Sequence, residues 1–169
     1  VNKFIQHIIR FVFLVILQVL ILNNIQFSGY INPFVYILFI FLLPAKLPKA
    51  LLLVLAFAMG LTMDVFSDSL GVHTAASVLI AYIRPSVLGL VTTKGGEDLE
   101  TIGIKQLRFA RFFTYAAILT FIHHFTLFYI EAFRISEFLA TFSRALVSSI
   151  CSLLLILIIE YLRSNSLRK

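Results

Sequence analysis

The sequence predicts an all-α integral membrane protein: a six-transmembrane-helix bundle with both termini cytoplasmic. Three observations predict it. Of the 169 residues, 60% are hydrophobic and only 13% charged, with a mean hydropathy of +1.01. Apolar runs recur from end to end, most of them near the roughly 20 residues that carry a helix across a hydrocarbon core about 30 Å thick. The basic residues, finally, alternate along the chain in the manner that fixes membrane orientation.

Taken in order, the first run, residues 4–22, is too long for the apolar core of a cleavable signal peptide and leads into "NNIQFSGYINP" without a small-residue cleavage pattern. The next two, 31–44 and 50–65, are shorter and are separated by "PAKLPK", whose prolines at 44 and 48 stop one helix and permit another to begin. They cross comfortably only if Tyr30 and Lys46 reach the interfaces. Residues 72–91, 109–130 and 138–162 complete the set, and the whole chain, 1–169, reads as a single transmembrane domain. The polar stretch 92–108, "TTKGGEDLETIGIKQLR", reads as a solvated loop. Arg84 with Pro85 marks a kink. The single cysteine, Cys151, falls inside a helix, which excludes disulfides and cysteine-rich metal sites.

Twelve of the 14 Lys and Arg residues fall at the N-terminus, in the connections after the second and fourth helices, and at the C-terminus. Only Arg134 and Arg144 fall on the other side. Because basic residues are retained in the cytoplasm, both termini are expected there. The net charge of +6 is therefore a topology signal. It is spread over four short segments and forms no patch for nucleic acid, although it suits anionic membrane lipids.

The stretch "GLTMDVFSDSLGVH", residues 60–73, is anomalous in such a chain because it holds two aspartates, two glycines and a histidine. Ala56, Gly60 and Asp64 share one helix face at spacings of four, and small residues at that spacing allow a neighbouring helix to approach. Gly71 and Ala75 repeat the spacing. Asp68 or Ser69 is expected to cap the incoming helix. An ionised Asp64 at the hydrocarbon edge needs a partner. Arg144 is a candidate for it and heads a stripe with Ser148 and Ser152; Glu131 is the other residue that Arg144 can reach. Thr120, His124 and Glu131 share a face, with His123 beside them, and His73 and Ser77 belong to the same half. On one helix, His7, Arg10 and Gln18 form a polar side. Two readings follow: an internal salt bridge that orders the bundle, or a polar pocket open to the outside for a ligand or a partner's helix. A metal site from Asp64, His73, His123 and His124 lacks a recognised ligand spacing. No nucleophile is paired with a base and no glycine-rich phosphate loop is present, so enzyme chemistry and cofactors are not expected.

The segment "FAMGLTMDVFSDSLGVHTAASVLIAYI" resembles the central signature of the rod shape-determining protein MreD family, with Gly60, Asp64, Phe66, Gly71, His73 and Tyr82 as the matching residues. Chain length, the asparagine-rich turn after the first helix, the basic break before the signature and the basic tail are also similar. The loop 92–108 has no counterpart in the family pattern. The resemblance implies a non-catalytic subunit of the bacterial inner membrane in the cell-elongation (rod) complex. Such a subunit binds a single-pass MreC-like protein and links an MreB-like filament to a RodA-like peptidoglycan polymerase and its transpeptidase. Helix spacing and the matching residues together give the candidate partner-binding or structural polar face as Gly60, Asp64, Asp68, Gly71, His73, His124, Glu131 and Arg144. Six short helices also resemble the substrate-binding subunits of energy-coupling-factor vitamin transporters, and helix count alone does not separate the two.

Overall fold

The computed structural model describes residues 3–24, 30–92, 99–132 and 138–166. Lys94, Arg134, Arg168 and Lys169, part of the expected orientation signal, lie outside these residues. The elements are α1 (Lys3–Ile16), continued by a π turn (Leu17–Ile21) and a 3-10 turn (Leu22–Asn24), then α2 (Leu38–Phe41), α3 (Lys49–Ser67), α4 (Val72–Val91), α5 (Ile104–Leu107), α6 (Phe109–Ala132) and α7 (Phe138–Ser166). Among the described residues, five helical stretches are long and apolar enough to cross a membrane: Phe4–Asn24, Lys49–Ser67, Val72–Val91, Phe109–Ala132 and Phe138–Ser164. The protein is an all-helical, multi-pass membrane protein. α3 packs on α4, α4 on α6 and α6 on α7, while α1 lies against α2 and α3. Val54, Phe57, Leu61, Val65, Ile150, Leu154 and Ile158 point outward, as lipid-facing side chains do.

The expected helix at 31–44 is the main departure. Only Leu38–Phe41 is helical there, and this segment is the core of the molecule: every residue from Phe34 to Leu43 is buried. Pro33 and Pro44 fence it. A proline drives the preceding residue to extended geometry, so about ten residues remain for helix, only about 15 Å at 1.5 Å each. The chain instead runs extended into the bundle and closes one helical turn at its far end. It begins where Tyr30 donates its hydroxyl to the Ala140 carbonyl near the start of α7 (3.1 Å), and it ends where the Ala45 amide donates to the Leu99 carbonyl (3.0 Å).

Extended backbone inside a membrane protein is tolerated only where its polar groups find partners in the protein. Four helices supply them here. The π turn brings Gln18 inward to a fully buried position. Its Oε1 accepts the amides of Val35 (2.8 Å) and Tyr36 (3.4 Å), and its Nε2 donates to the Pro33 carbonyl (3.0 Å). On α7, Ser148 accepts the Asn32 amide (3.2 Å) and Ser152 accepts the Phe34 amide (2.8 Å). The match is metric: four residues of helix rise about 6 Å, and two residues of extended chain span about 6.6 Å. At the far end Tyr115 donates to the Phe41 carbonyl (3.1 Å), Arg10 to the Leu42 carbonyl (3.3 Å), and the buried Arg84 to the Leu43 carbonyl. Arg84 Nε also donates to the Tyr115 hydroxyl (2.9 Å).

Residues 99–108 do not form a solvated loop. Ile102 and Leu107 are buried, and the Ile104 amide donates to Oε1 of the buried Glu160 (3.1 Å), which Arg163 holds with two 2.6 Å bonds. A β-carbon at Gly103 would meet the ends of the Glu160 and Arg163 side chains, so glycine gives the strap room against α7, and a larger residue there would require those two side chains to shift.

Candidate functional site: the α3–α4 hairpin and its cavity

α3 ends at Ser67 with Asp68 in left-handed geometry (φ 50°, ψ 43°) as its C-cap, and α4 starts after Gly71 at φ 87°. The two helices therefore reverse within four residues. A β-carbon at Gly71 would meet nothing within 4 Å, so this glycine serves the turn and not the helix contact expected of it. Gly60 does serve that contact, against the backbone of His73 and Thr74.

Asp64 fastens the hairpin. Its Oδ1 accepts the Ser69 hydroxyl (2.6 Å) and the His73 amide (3.0 Å), and it lies 3.2 Å from His73 Nδ1. Its Oδ2 accepts the Thr74 amide (2.9 Å) and the Thr74 hydroxyl. The first turn of a helix leaves amides without intrahelical partners, and here a carboxylate from the preceding helix takes two of them. The cap is therefore Asp64. Asp68 makes no capping bond, and Ser69 acts by donating to Asp64 and lying 3.0 Å from His73 Nδ1. With its acceptor capacity filled by Ser69 in the turn and by His73 and Thr74 of α4, Asp64 has no need of Arg144. Arg144 pairs instead with Glu131 (3.4 Å) and lies over the Phe128 ring at 4.3 Å.

His124 belongs to the clamp on the extended segment. Its Nδ1 donates to the Thr120 carbonyl (2.8 Å), which leaves Nε2 of the neutral ring to accept the Ser152 hydroxyl (2.8 Å), and Ser152 in turn accepts the Phe34 amide. His123 Nε2 lies 2.7 Å from the Tyr36 hydroxyl. Phe34 sits among these groups, with ring centroids 5.3 Å from His73 and 5.3 Å from His124. Among the described residues, no three His, Cys, Asp or Glu side chains are arranged to hold a metal ion.

Between the hairpin turn, Asn23, Asn32 and α6 lies an open cavity of about 510 Å³. Phe34, Pro33 and Leu127 line its apolar part, and Asp68, Glu131 and His73 its polar part. Beside it the hairpin presents Val65, Phe66 and Leu70 outward, Leu70 at 103% relative exposure. The structure thus divides the eight expected site residues. Asp68, His73 and Glu131 line the cavity, with Arg144 on Glu131, while Gly60, Asp64, Gly71 and His124 hold the framework. Sequence reasoning missed Gln18, Arg84 and Tyr115 as a group; a glutamine within an apolar span was the available signal. Neither the family models, nor curated proteins, nor solved structures give a match to the chain.

Proposed function

We propose that the protein is a non-catalytic scaffold subunit of the bacterial rod complex, of the kind the MreD resemblance implies. On this reading it holds a single-pass MreC-like partner in the cytoplasmic membrane and helps to organise peptidoglycan synthesis and cell shape. The observation that carries the reading is the tip of the α3–α4 hairpin, where outward Phe66 and Leu70 adjoin an open acidic cavity. Exposed apolar side chains beside convergent polar groups suit a membrane-surface contact with another protein. The polar residues of the signature stretch are mostly engaged in joining α3 to α4, which suits a structural role better than a reactive one. With the extended segment counted as a sixth crossing, both termini fall on the same side of the membrane, and the distribution of basic residues favours the cytoplasmic one.

A second reading has one observation in its favour. A cavity of about 510 Å³ falls within the size range of small-molecule sites, as a vitamin-binding transporter subunit requires.

Mass spectrometry of proteins co-purified with the tagged chain from native membranes separates the two. The scaffold reading predicts enrichment of a single-pass coiled-coil protein with cell-wall synthases. Enrichment of an ATPase pair with a transmembrane coupling protein replaces it with the transport reading.

A further inference from the structure

A second, smaller cleft lies on the opposite, basic end of the molecule, between the first turn of α3 and the last turns of α4, and has a volume of about 140 Å³. Its polar lining is Lys49, Tyr82 and Ser86, and its apolar walls include Leu52, Leu53 and Pro85. Lys49 is exposed, has no carboxylate partner among the described residues, and is the only charged residue of the lining. Ser86 precedes the end of α4 by five residues, about 7.5 Å along the axis, so the polar groups lie at the depth where a bilayer changes from headgroup to hydrocarbon. Tyr82 is exposed and lines the cleft one helical turn deeper than Ser86. Pro85 has no N–H to close its helical turn onto the carbonyl of Ala81, which also lines the cleft. On the same two helix ends Leu51 and Leu90 are exposed.

We propose that this cleft binds the phosphate of an anionic phospholipid, with Lys49 as the cation, Ser86 as a hydroxyl donor, and an acyl chain along Leu52, Leu53, Tyr82 and Pro85. One positive charge, with no carboxylate partner among the described residues, complements one phosphodiester. The apolar walls favour a lipid over a free anion, since only a lipid covers them. Basic pockets between helices at a membrane surface recognise headgroups by this combination. The inference is independent of the scaffold reading.

Native mass spectrometry of the full chain in mild detergent, titrated with phosphatidylglycerol or with phosphatidylcholine of the same acyl chains, tests it. Phosphatidylglycerol is expected to bind more tightly. Lys49→Ala is expected to weaken it about fivefold, the contribution of one lysine near a charged membrane surface. Lys49→Arg is expected to retain binding, as is Lys105→Ala, which removes another exposed charge. Equal binding of the two lipids overturns the proposal, as does unchanged phosphatidylglycerol binding in Lys49→Ala. Full competition by millimolar inorganic phosphate also overturns it, by assigning the cleft to a free anion.

Discussion

Gly60 on α3 meets the backbone of Thr74 on α4 so closely that a β-carbon at Gly60 would lie 2.5 Å from the Thr74 α-carbon. The same added atom would sit 2.8 Å from the His73 carbonyl oxygen. Both obstacles are backbone, held in place by the Asp64 clamp one turn further on, so neither can turn aside as a flexible side chain would.

Gly60→Ala is therefore expected to destabilise the protein by about 1–3 kcal/mol, the usual cost of overpacking. Thermal unfolding of the purified protein in detergent reads the effect. Gly89→Ala is the control, because a β-carbon there meets open space. Equal melting temperatures for the two variants would remove the close approach from the account.

Asp64→Asn should be nearly as damaging as Asp64→Ala. The carboxylate accepts bonds at both oxygens, from Ser69 and His73 on one and from Thr74 on the other. An amide keeps only one acceptor and turns an N–H toward a donor. Each unsatisfied buried donor costs about 1–3 kcal/mol. Chemical unfolding that finds Asp64→Asn as stable as the parent would show that the second oxygen is dispensable.

Gln18→Leu keeps the approximate volume and removes the partner of two amides and one carbonyl in the extended segment. The expected outcome is faster hydrogen exchange at Val35 and Tyr36, with a stability loss of about 2–4 kcal/mol from several orphaned groups. Unaltered protection at these amides would mean that the segment is held by packing alone.

Arg84 and Tyr115 act as a unit at the far end, bonded to each other and to the carbonyls of Phe41 and Leu43. A double-mutant cycle with Arg84→Met and Tyr115→Phe should give a coupling energy of about 0.5–3 kcal/mol. Additive losses would separate them.

Glu131→Gln tests the cavity and not the framework. Its bond to Arg144 is 3.4 Å long and partly solvent-exposed, so the stability change is expected to stay within about 1 kcal/mol. Recovery of the partner should nevertheless fall. A melting temperature lowered as far as in Asp64→Ala would move Glu131 into the framework.

The long helices were legible because hydropathy and length decide them: the expected stretches 72–91 and 109–130 lie in α4 and α6 almost to the residue. The Ala56–Gly60–Asp64 face was legible from spacing alone, and it does turn inward. The segment 31–44 was not, because an apolar run of that length looks the same whether it folds as a helix or threads a core. Its two prolines were the visible warning. Ser148 and Ser152 were visible as a stripe, but their purpose depends on an extended strand more than 110 residues away in sequence. Asp64 was expected to need a partner, with Arg144 as one candidate, because a charge at the hydrocarbon edge demands compensation. The compensation came from the hydroxyls of Ser69 and Thr74 together with two backbone amides of α4, and the amides appear in no side-chain inventory. The strap at 99–108 was misread for a similar reason: its composition is polar, and its anchor, Glu160, lies in another helix.

Site-specific photo-crosslinking in native membranes tests the central claim most directly. A benzophenone side chain is placed at Phe66 on the hairpin tip, and for comparison at Leu154 on α7, two positions of nearly equal exposure (58% and 57%). The account predicts that Phe66 captures a single-pass coiled-coil protein and that Leu154, facing lipid, does not. Capture of that protein from Leu154 alone, or no protein adduct from Phe66 while the complex is intact, would contradict it.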